Sequence, residues 1–374
     1  ERLERTVAKL IERHESFRTS FAEGVDHVFQ RIHPAADCSL EYRELSVPAA
    51  DPAPLSSPTF RSILDGFIRP FDLSRAPLVR VGLIRLNHER HFILCDMHHI
   101  ISDGTSLGIL MDEFARLYGG EDLPPPELHY KDVAAWQISR LADERQKRRE
   151  AYWLGQFHGH IPVLNLPLDF TRPPTRSFQG DVIRFNLDGG VYRSIQRELH
   201  INTVTLHMFL LAAFNVLLHK YTGQDDIVVG TPVAGRNHRA VEKIIGLFVN
   251  TLAMRNRPSG EQTFRGFLAD VRKNSFAAYE NQEYQFEELV GKLRLARDAS
   301  RNPLFDVLFS LQNMEQAGIQ IRDLSFTPAP FPGASVNFDL TLTAKETDGR
   351  IEFELGYCTC LLYTSDAADE EDSV

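Results

Sequence analysis

Cysteine is scarce in this chain: four in 374 residues, at Cys38, Cys95, Cys358 and Cys360. Cys358 and Cys360 stand too close for a zinc knuckle, and no second pair completes one. The expectation is unpaired thiols in a reducing, cytoplasmic compartment. Long apolar runs are also missing; none approaches the roughly 20 residues of a membrane helix. The opening ERLERTVAKL lacks a charged-then-apolar signal segment, so export is not supported. An initiator Met is lacking too, from which a fragment of a longer protein is expected. Basic residues are outnumbered, 41 Lys and Arg against 51 Asp and Glu, for a formal charge of −10. With no basic stripe, nucleic acid is not the expected partner. Repeats at a solenoid period are absent.

What is present reads as a mixed α/β protein. Residues 2–17 carry Leu3, Val7, Leu10 and Ile11 on one helical face. Strand-like stretches follow at 18–21, VDHVFQRI and LEYREL; VPAADPAPLSSP is a loop and TFRSILDGFI a short helix. Residues 78–97 form a predicted hairpin, LVRVGLIRL and HFILCDM about a polar NHER turn. A helix over 105–118 is predicted to present Leu107, Leu110, Met111, Phe114 and Leu117 as its apolar face. One long helix is predicted from an Asp132 N-cap through AAWQISRLADERQKRREAYWLGQF.

The proline-rich HGHIPVLNLPLDFTRPPTRSFQG then breaks both periodicities. The expected division is an N-terminal lobe over 1–165 and a C-terminal lobe over 166–359. Beyond the break the pattern reads strand DVIRFNL, helix VYRSIQREL, an apolar helix over 205–221 and buried strand IVVGTPV. After these come strand FVNTLAMRN, helix FRGFLADVRKNSFAAYEN, and strands DVLFSLQN, SVNFDLTLTAKE and RIEFELGY.

The last segment, 360–374, is expected to be non-native or disordered. CLLYTSDAADE resembles the conceptual translation of a transposase adapter used in sequencing libraries, and native sequence would then end near Thr359. The alternative is a genuine acidic tail: Asp366, Asp369, Glu370, Glu371 and Asp372, with no base, carry half of the net charge.

The sharpest chemical feature is His98-His99-Ile100-Ile101-Ser102-Asp103-Gly104, between a predicted strand and a predicted helix. Side chains converge at such junctions in α/β sites. An imidazole there can exchange a proton with an amine or hydroxyl near neutral pH. Asp103 can hold the loop through an ion pair, and Gly104 permits a close approach or an unusual φ. Each part also has a structural reading: adjacent histidines are commonly structural, and Asp-Gly is a common turn. Zinc would need a third ligand, which the sequence does not offer, and adjacent strand residues point apart. Gly230-Thr231-Pro232 is a strand exit, without the lysine and spacing of a phosphate loop.

MHHIISDGTS resembles the HHxxxDG signature of condensation domains from non-ribosomal peptide synthetases. Five further stretches match that family in register over some 300 residues. ERHESFRTSF (12–21) is similar to its RHExLRTxF motif, and YKDVAAWQ (130–137) to its YxDxAxWQ motif. IGLFVNTLAMR (245–255), NQEYQFEELV (281–290) and RDASRNPLFDVLF (297–309) are similar to three later ones. The family's most N-terminal motif is absent.

The resemblance implies two chloramphenicol acetyltransferase-like lobes in a V-shaped pseudo-dimer, with a tunnel between them. Upstream and downstream peptidyl carrier domains would each insert a phosphopantetheine arm; no cofactor is bound directly, and an adenylation domain of the same synthetase is an expected partner. His99 would act as base, orienter or oxyanion donor, and His98 would support the loop. Asp103 would pair with an arginine of the RHExLRTxF-like stretch, Arg18 by choice and Arg13 as the alternative. Phe248, Val249 and Asn250 would line or bridge the tunnel, though a buried strand accounts for two of them equally well. Tyr130 and Trp136 read as packing residues, and Arg301 and Asn302 as setting a turn before Pro303. The histidine pair departs from the aspartate pattern of heterocyclisation domains, and the later motifs differ from those of epimerisation domains. An L-configured donor is the weakly favoured type. A stand-alone acyltransferase and a non-catalytic carrier-docking platform are the competing readings.

Overall fold

The structure, a computed structural model, describes residues 1–25, 27–45, 55, 57–140, 143–296, 298–312, 318–321, 324–329 and 334–363. Most of the VPAADPAPLSSP loop, Arg297 and residues 364–374 of the tail lie outside the described residues. The chain divides into two compact units: Glu1–Leu141, Arg236–Val249 and Met314–Pro332 form the first, and Ala142–Gly235, Asn250–Asn313 and Gly333–Val374 the second. The division is not the linear one read near residue 165, because two later segments return to the first unit.

In the first unit α1 (Arg2–Arg13) buries Leu3, Val7, Leu10 and Ile11, the face its periodicity predicts. It is shorter than expected, since the chain turns extended at His14 and a 3-10 turn covers Glu15–Arg18. β1 (Thr19–Glu23) and β2 (Val28–Ile32) form an antiparallel ribbon. β3 (Glu41–Glu44) lies parallel to β4 (Val79–Arg85), which pairs antiparallel with β5 (His91–Met97). The register runs from Val79 opposite Met97 to Arg85 opposite His91, the hairpin predicted from alternation. α2 (Pro58–Phe67) starts at a Ser57 cap with proline at its first position.

α3 (Gly104–Gly119) and α4 (Tyr130–Ser139) follow. α4 begins at His129 rather than Asp132. Asp132 sits in its first turn, where the carboxylate accepts the His129 backbone N–H at 2.8 Å. The predicted long helix is two helices: α5 (Glu144–Gln156), capped by Asp143, belongs to the second unit. A ribbon of β10 (Ile319–Ile321) and β11 (Leu324–Phe326) packs Ile321 and Phe326 into the core beneath α1 and α3.

The second unit is built on a seven-stranded mixed sheet. β6 (Gln179–Leu187), β7 (Ile227–Val233), β8 (Asn250–Asn256), β9 (Val307–Gln312), β12 (Ala334–Ser335), β13 (Leu340–Thr347) and β14 (Arg350–Cys358) run in the order β12-β6-β14-β13-β9-β7-β8. β9 is parallel to β13 and β7; the other pairs are antiparallel. α6 (Gly189–Asn202), α7 (Leu206–Thr222), α8 (Phe264–Glu280) and α9 (Phe286–Leu293) complete the unit. α7 is apolar nearly all round and buries Met208, Leu211, Ala212, Phe214 and Leu218. No single helix among the described residues is long and apolar enough to cross a membrane.

Candidate active site

The β4–β5 hairpin delivers the histidine pair. His98 leaves the sheet with its backbone N–H on the Leu78 carbonyl at 3.0 Å and caps a 3-10 turn over His99–Ile101. Its Nδ1 accepts the Ile100 N–H at 3.1 Å, which leaves the ring proton on Nε2. Its ring also meets Phe71 edge-on. These contacts tie the His98 ring and backbone to its own turn, to Leu78 and to Phe71. His99 is exposed, and no side-chain hydrogen bond joins its ring to another described residue. Both of its nitrogens are therefore available to a ligand.

His99 borders an open concavity of about 340 Å³ lined by Cys95, Asp96, Met97, Ser102, Asp103, Gly104 and Leu107. Gly104 opens α3 without a left-handed φ, so the unusual conformation expected of it is not found. What it contributes is room, because no side chain projects from this corner of the wall. Asp96 pairs with Arg80 at 2.9 Å; burial holds its carboxyl above the ordinary range although Arg80 pulls it down. A half-open hollow at Arg172, Arg176 and Asp339 holds only about 10 Å³, scarcely one water. Among the described residues no cluster of three His, Cys, Asp or Glu side chains could hold a metal ion.

Asp103 turns away from the concavity into a polar knot. Its Oδ1 accepts the Ser106 backbone N–H at 2.8 Å, as an N-cap does, and lies 2.8 Å from Ser106 Oγ. Arg236 Nη2 donates to the same oxygen at 3.0 Å, and the Phe248 N–H donates to Oδ2 at 3.0 Å. Both side chains of the ion pair are almost sealed from water, 4% and 5% exposed. Arg236 also donates to the carbonyls of Val241 and Ile244 and lies 4.0 Å over the Phe248 ring. Ser106 Oγ accepts the Gly246 N–H at 3.1 Å.

The partner of Asp103 is thus Arg236, not Arg18 or Arg13. Arg18 donates to the carbonyls of Ile11, Glu12 and His33, closing the C-terminal end of α1 where carbonyls lack helical partners. Arg13 forks onto Glu113 at 2.9 and 3.1 Å, beside buried His14. Burial works to raise the Glu113 pKa, but the bonds from His14 and Arg13 outweigh it and hold the carboxyl below its usual range. The sequence marks Arg236 only as a cation in AGRN, just past the mostly apolar strand IVVGTPV; a counter-ion is needed if the chain turns inward there, but no local spacing says which.

Phe248 and Asn250 do not line the concavity. Phe248 is buried with Val133 and Ile244. Asn250 donates to the carbonyls of Gln282 and Tyr284 and accepts the Phe286 N–H, which pins β8 to the approach to α9. Tyr130 packs as expected: its ring lies on Gly246, edge-on to Phe248, and its hydroxyl donates to the Leu247 carbonyl at 2.6 Å. Trp136 does not; it is 48% exposed, with Arg140 stacked on its ring. Arg301 and Asn302 do more than set a turn: the Arg301 side chain and the Asn302 backbone both donate to buried Asp306.

A condensation-domain family model matches residues 1–366. The chain is 46% identical over 360 residues, 96% of its length, to bacitracin synthase 3 of Bacillus licheniformis, and it spans 6% of that protein. Among solved structures, the X-domain complexed with OxyB from teicoplanin biosynthesis superposes with a TM-score of 0.86 at 24% identity, covering 98% of this chain and 82% of that one. A four-domain non-ribosomal peptide synthetase bound to AMP and glycine superposes with a TM-score of 0.83 at 22% identity, covering 98% of this chain and 28% of that one. The mixed α/β fold is the chloramphenicol acetyltransferase-like one that the motifs implied. Motifs in register, a histidine presented at an open concavity and a match over nearly the whole length agree: the chain belongs to the condensation-domain family of non-ribosomal peptide synthetases.

Proposed function

We propose that this domain forms an amide between a donor acyl or peptidyl thioester and an acceptor aminoacyl thioester, each carried on the phosphopantetheine arm of a partner carrier domain. The acceptor's α-amine attacks the donor carbonyl carbon, giving a tetrahedral intermediate. The amine proton is lost, the C–S bond breaks, and the departing thiolate takes up a proton. Two reactants held end to end lower the barrier by several kcal/mol, roughly, through effective concentration alone.

One observation carries the reading: His99 offers an unbonded imidazole to an open concavity whose back wall is fixed by the Asp103–Arg236 pair. Such a ring can take the amine proton, orient the amine, or donate to the oxyanion. His98 holds the turn that aims it, with its acceptor nitrogen already engaged. The upstream and downstream carriers, with the adenylation domain that loads the acceptor, are the proposed partners.

Single-turnover assay with loaded donor and acceptor carriers tests this. His99→Ala is expected to slow amide formation roughly 10²- to 10⁴-fold. Near-wild-type rates in that variant would remove His99 from the chemistry. Acylation of free amines or alcohols in preference to carrier-bound acceptors would point to a stand-alone acyltransferase. Carrier binding without product would point to a docking platform.

A further inference from the structure

Several of the apolar side chains that the fold leaves exposed gather around the concavity of His99. On α3, Leu110, Phe114 and Leu117 turn into the core, but Leu107 and Met111 remain 40% and 37% exposed, against the face expected for them. They stand one helical turn apart, so they form a single ridge. On β5 the alternation leaves Ile93 39% exposed, and Cys95 and Met97 follow it along the same face of the strand. The two rows meet at the concavity of His99, where Cys95, Met97 and Leu107 all line the wall.

We infer that this wall of Cys95, Met97 and Leu107 selects substrates by the size of the side chain next to the reacting carbonyl or amine. The inference rests on the amide-forming reading above and specifies its substrates. An apolar wall reads volume rather than hydrogen-bonding pattern; one methylene more or less is worth about 10- to 200-fold. Cys95 is the smallest residue of the three, so a larger side chain at that position takes the most space from the concavity. Water reaches Cys95 through the concavity, yet protein surrounds the thiol on its other sides, and that desolvation pushes its pKa up to about 12. It therefore stays protonated and acts as a small apolar surface, not as a nucleophile.

The test measures single-turnover amide formation with aminoacyl thioesters of graded side chain, from alanine to phenylalanine, varied first on the donor carrier and then on the acceptor. Cys95→Phe fills the space and is expected to lower the phenylalanine-to-alanine rate ratio at least tenfold in one of the two series. The series that moves identifies which substrate lies on the wall. Leu107→Ala is expected to raise the same ratio, and serves alone if Cys95→Phe melts early. Ratios that stay within twofold of wild type in both series, for a folded variant that still makes amide, overturn the inference and leave the proposed function standing. A wild-type domain that makes no amide from any pair overturns both.

Discussion

At the scale of single residues, Asp103 and Arg236 form a buried ion pair where the loop that carries His99 enters α3. Each is a buried charge whose hydrogen-bonding capacity is met largely by the other and by nearby backbone. Removing one partner strands the other in a medium that cannot solvate it, at a cost of about 3–5 kcal/mol. Asp103→Ala and Arg236→Ala should each lower unfolding free energy by that amount in urea titrations. The double variant should lose far less than the sum, because two stranded charges are worse than none. Coupling of Asp103 to Arg18 should be near zero; strong coupling there would restore the pairing first read from the motif.

His207 shows the same economy in the second unit. Tyr279 donates to its Nδ1 at 3.0 Å, its Nε2–H meets Thr231 Oγ1 at 2.9 Å, and Thr231 donates onward to the Phe309 carbonyl. The chain closes only around a neutral ring, and burial pushes the His207 pKa down to about 4 from an ordinary 6.5. The folded state therefore binds fewer protons than the unfolded one between those values. Stability is fully present above pH 6.5, falls as pH drops towards 4, and then levels, for a loss on the order of 3 kcal/mol. His207→Gln should flatten the stability difference between pH 7 and pH 4.5 by about 2 kcal/mol; an unchanged slope would mean the ring protonates freely in the fold.

At the scale of elements, Gly246 is the point where α4 and the returning segment touch. A Cβ there would lie 2.2 Å from the Tyr130 ring. That ring cannot swing aside, being hydrogen-bonded to Leu247 and set edge-on against Phe248. Gly246→Ala should cost about 1–3 kcal/mol by overpacking, and Tyr130→Leu in the same chain should recover part of it. A Gly246→Ala protein that melts with the wild type would mean that the Tyr130 ring can move aside.

Elements were legible where one periodicity ran unbroken. The alternation of LVRVGLIRL and HFILCDM yielded the β4–β5 hairpin in register, and an all-apolar stretch yielded α7. Legibility failed where two patterns abutted, as between α4 and α5, which a helical periodicity carried across a change of unit. In α3 the apolar stripe is wider than the core needs, and Leu107 and Met111 read as inward-facing because hydropathy does not distinguish a buried apolar face from an exposed one. Of the site, the histidines and Asp103 were read from local motif. Arg236 was not, since a partner 133 residues away leaves no local spacing to read.

At the scale of the whole molecule, the same distance becomes an argument about folding. Residues Arg236–Val249 leave the second unit's sequence to complete the first, bringing the cation for Asp103, the N–H of Phe248 and the Gly246 surface under Tyr130. A polypeptide of residues 1–165, the lobe a linear reading would cut, keeps α1, the β4–β5 hairpin and α3 but loses all three contributions. Against a usual total of about 5–15 kcal/mol, an unpaired Asp103 alone removes a large share. The fragment should show no cooperative transition by scanning calorimetry, although circular dichroism should still register helix. A sharp transition in it would mean the first unit closes without the returning segment, and that the Asp103–Arg236 pair orients the loop of His99 without being needed to fold it.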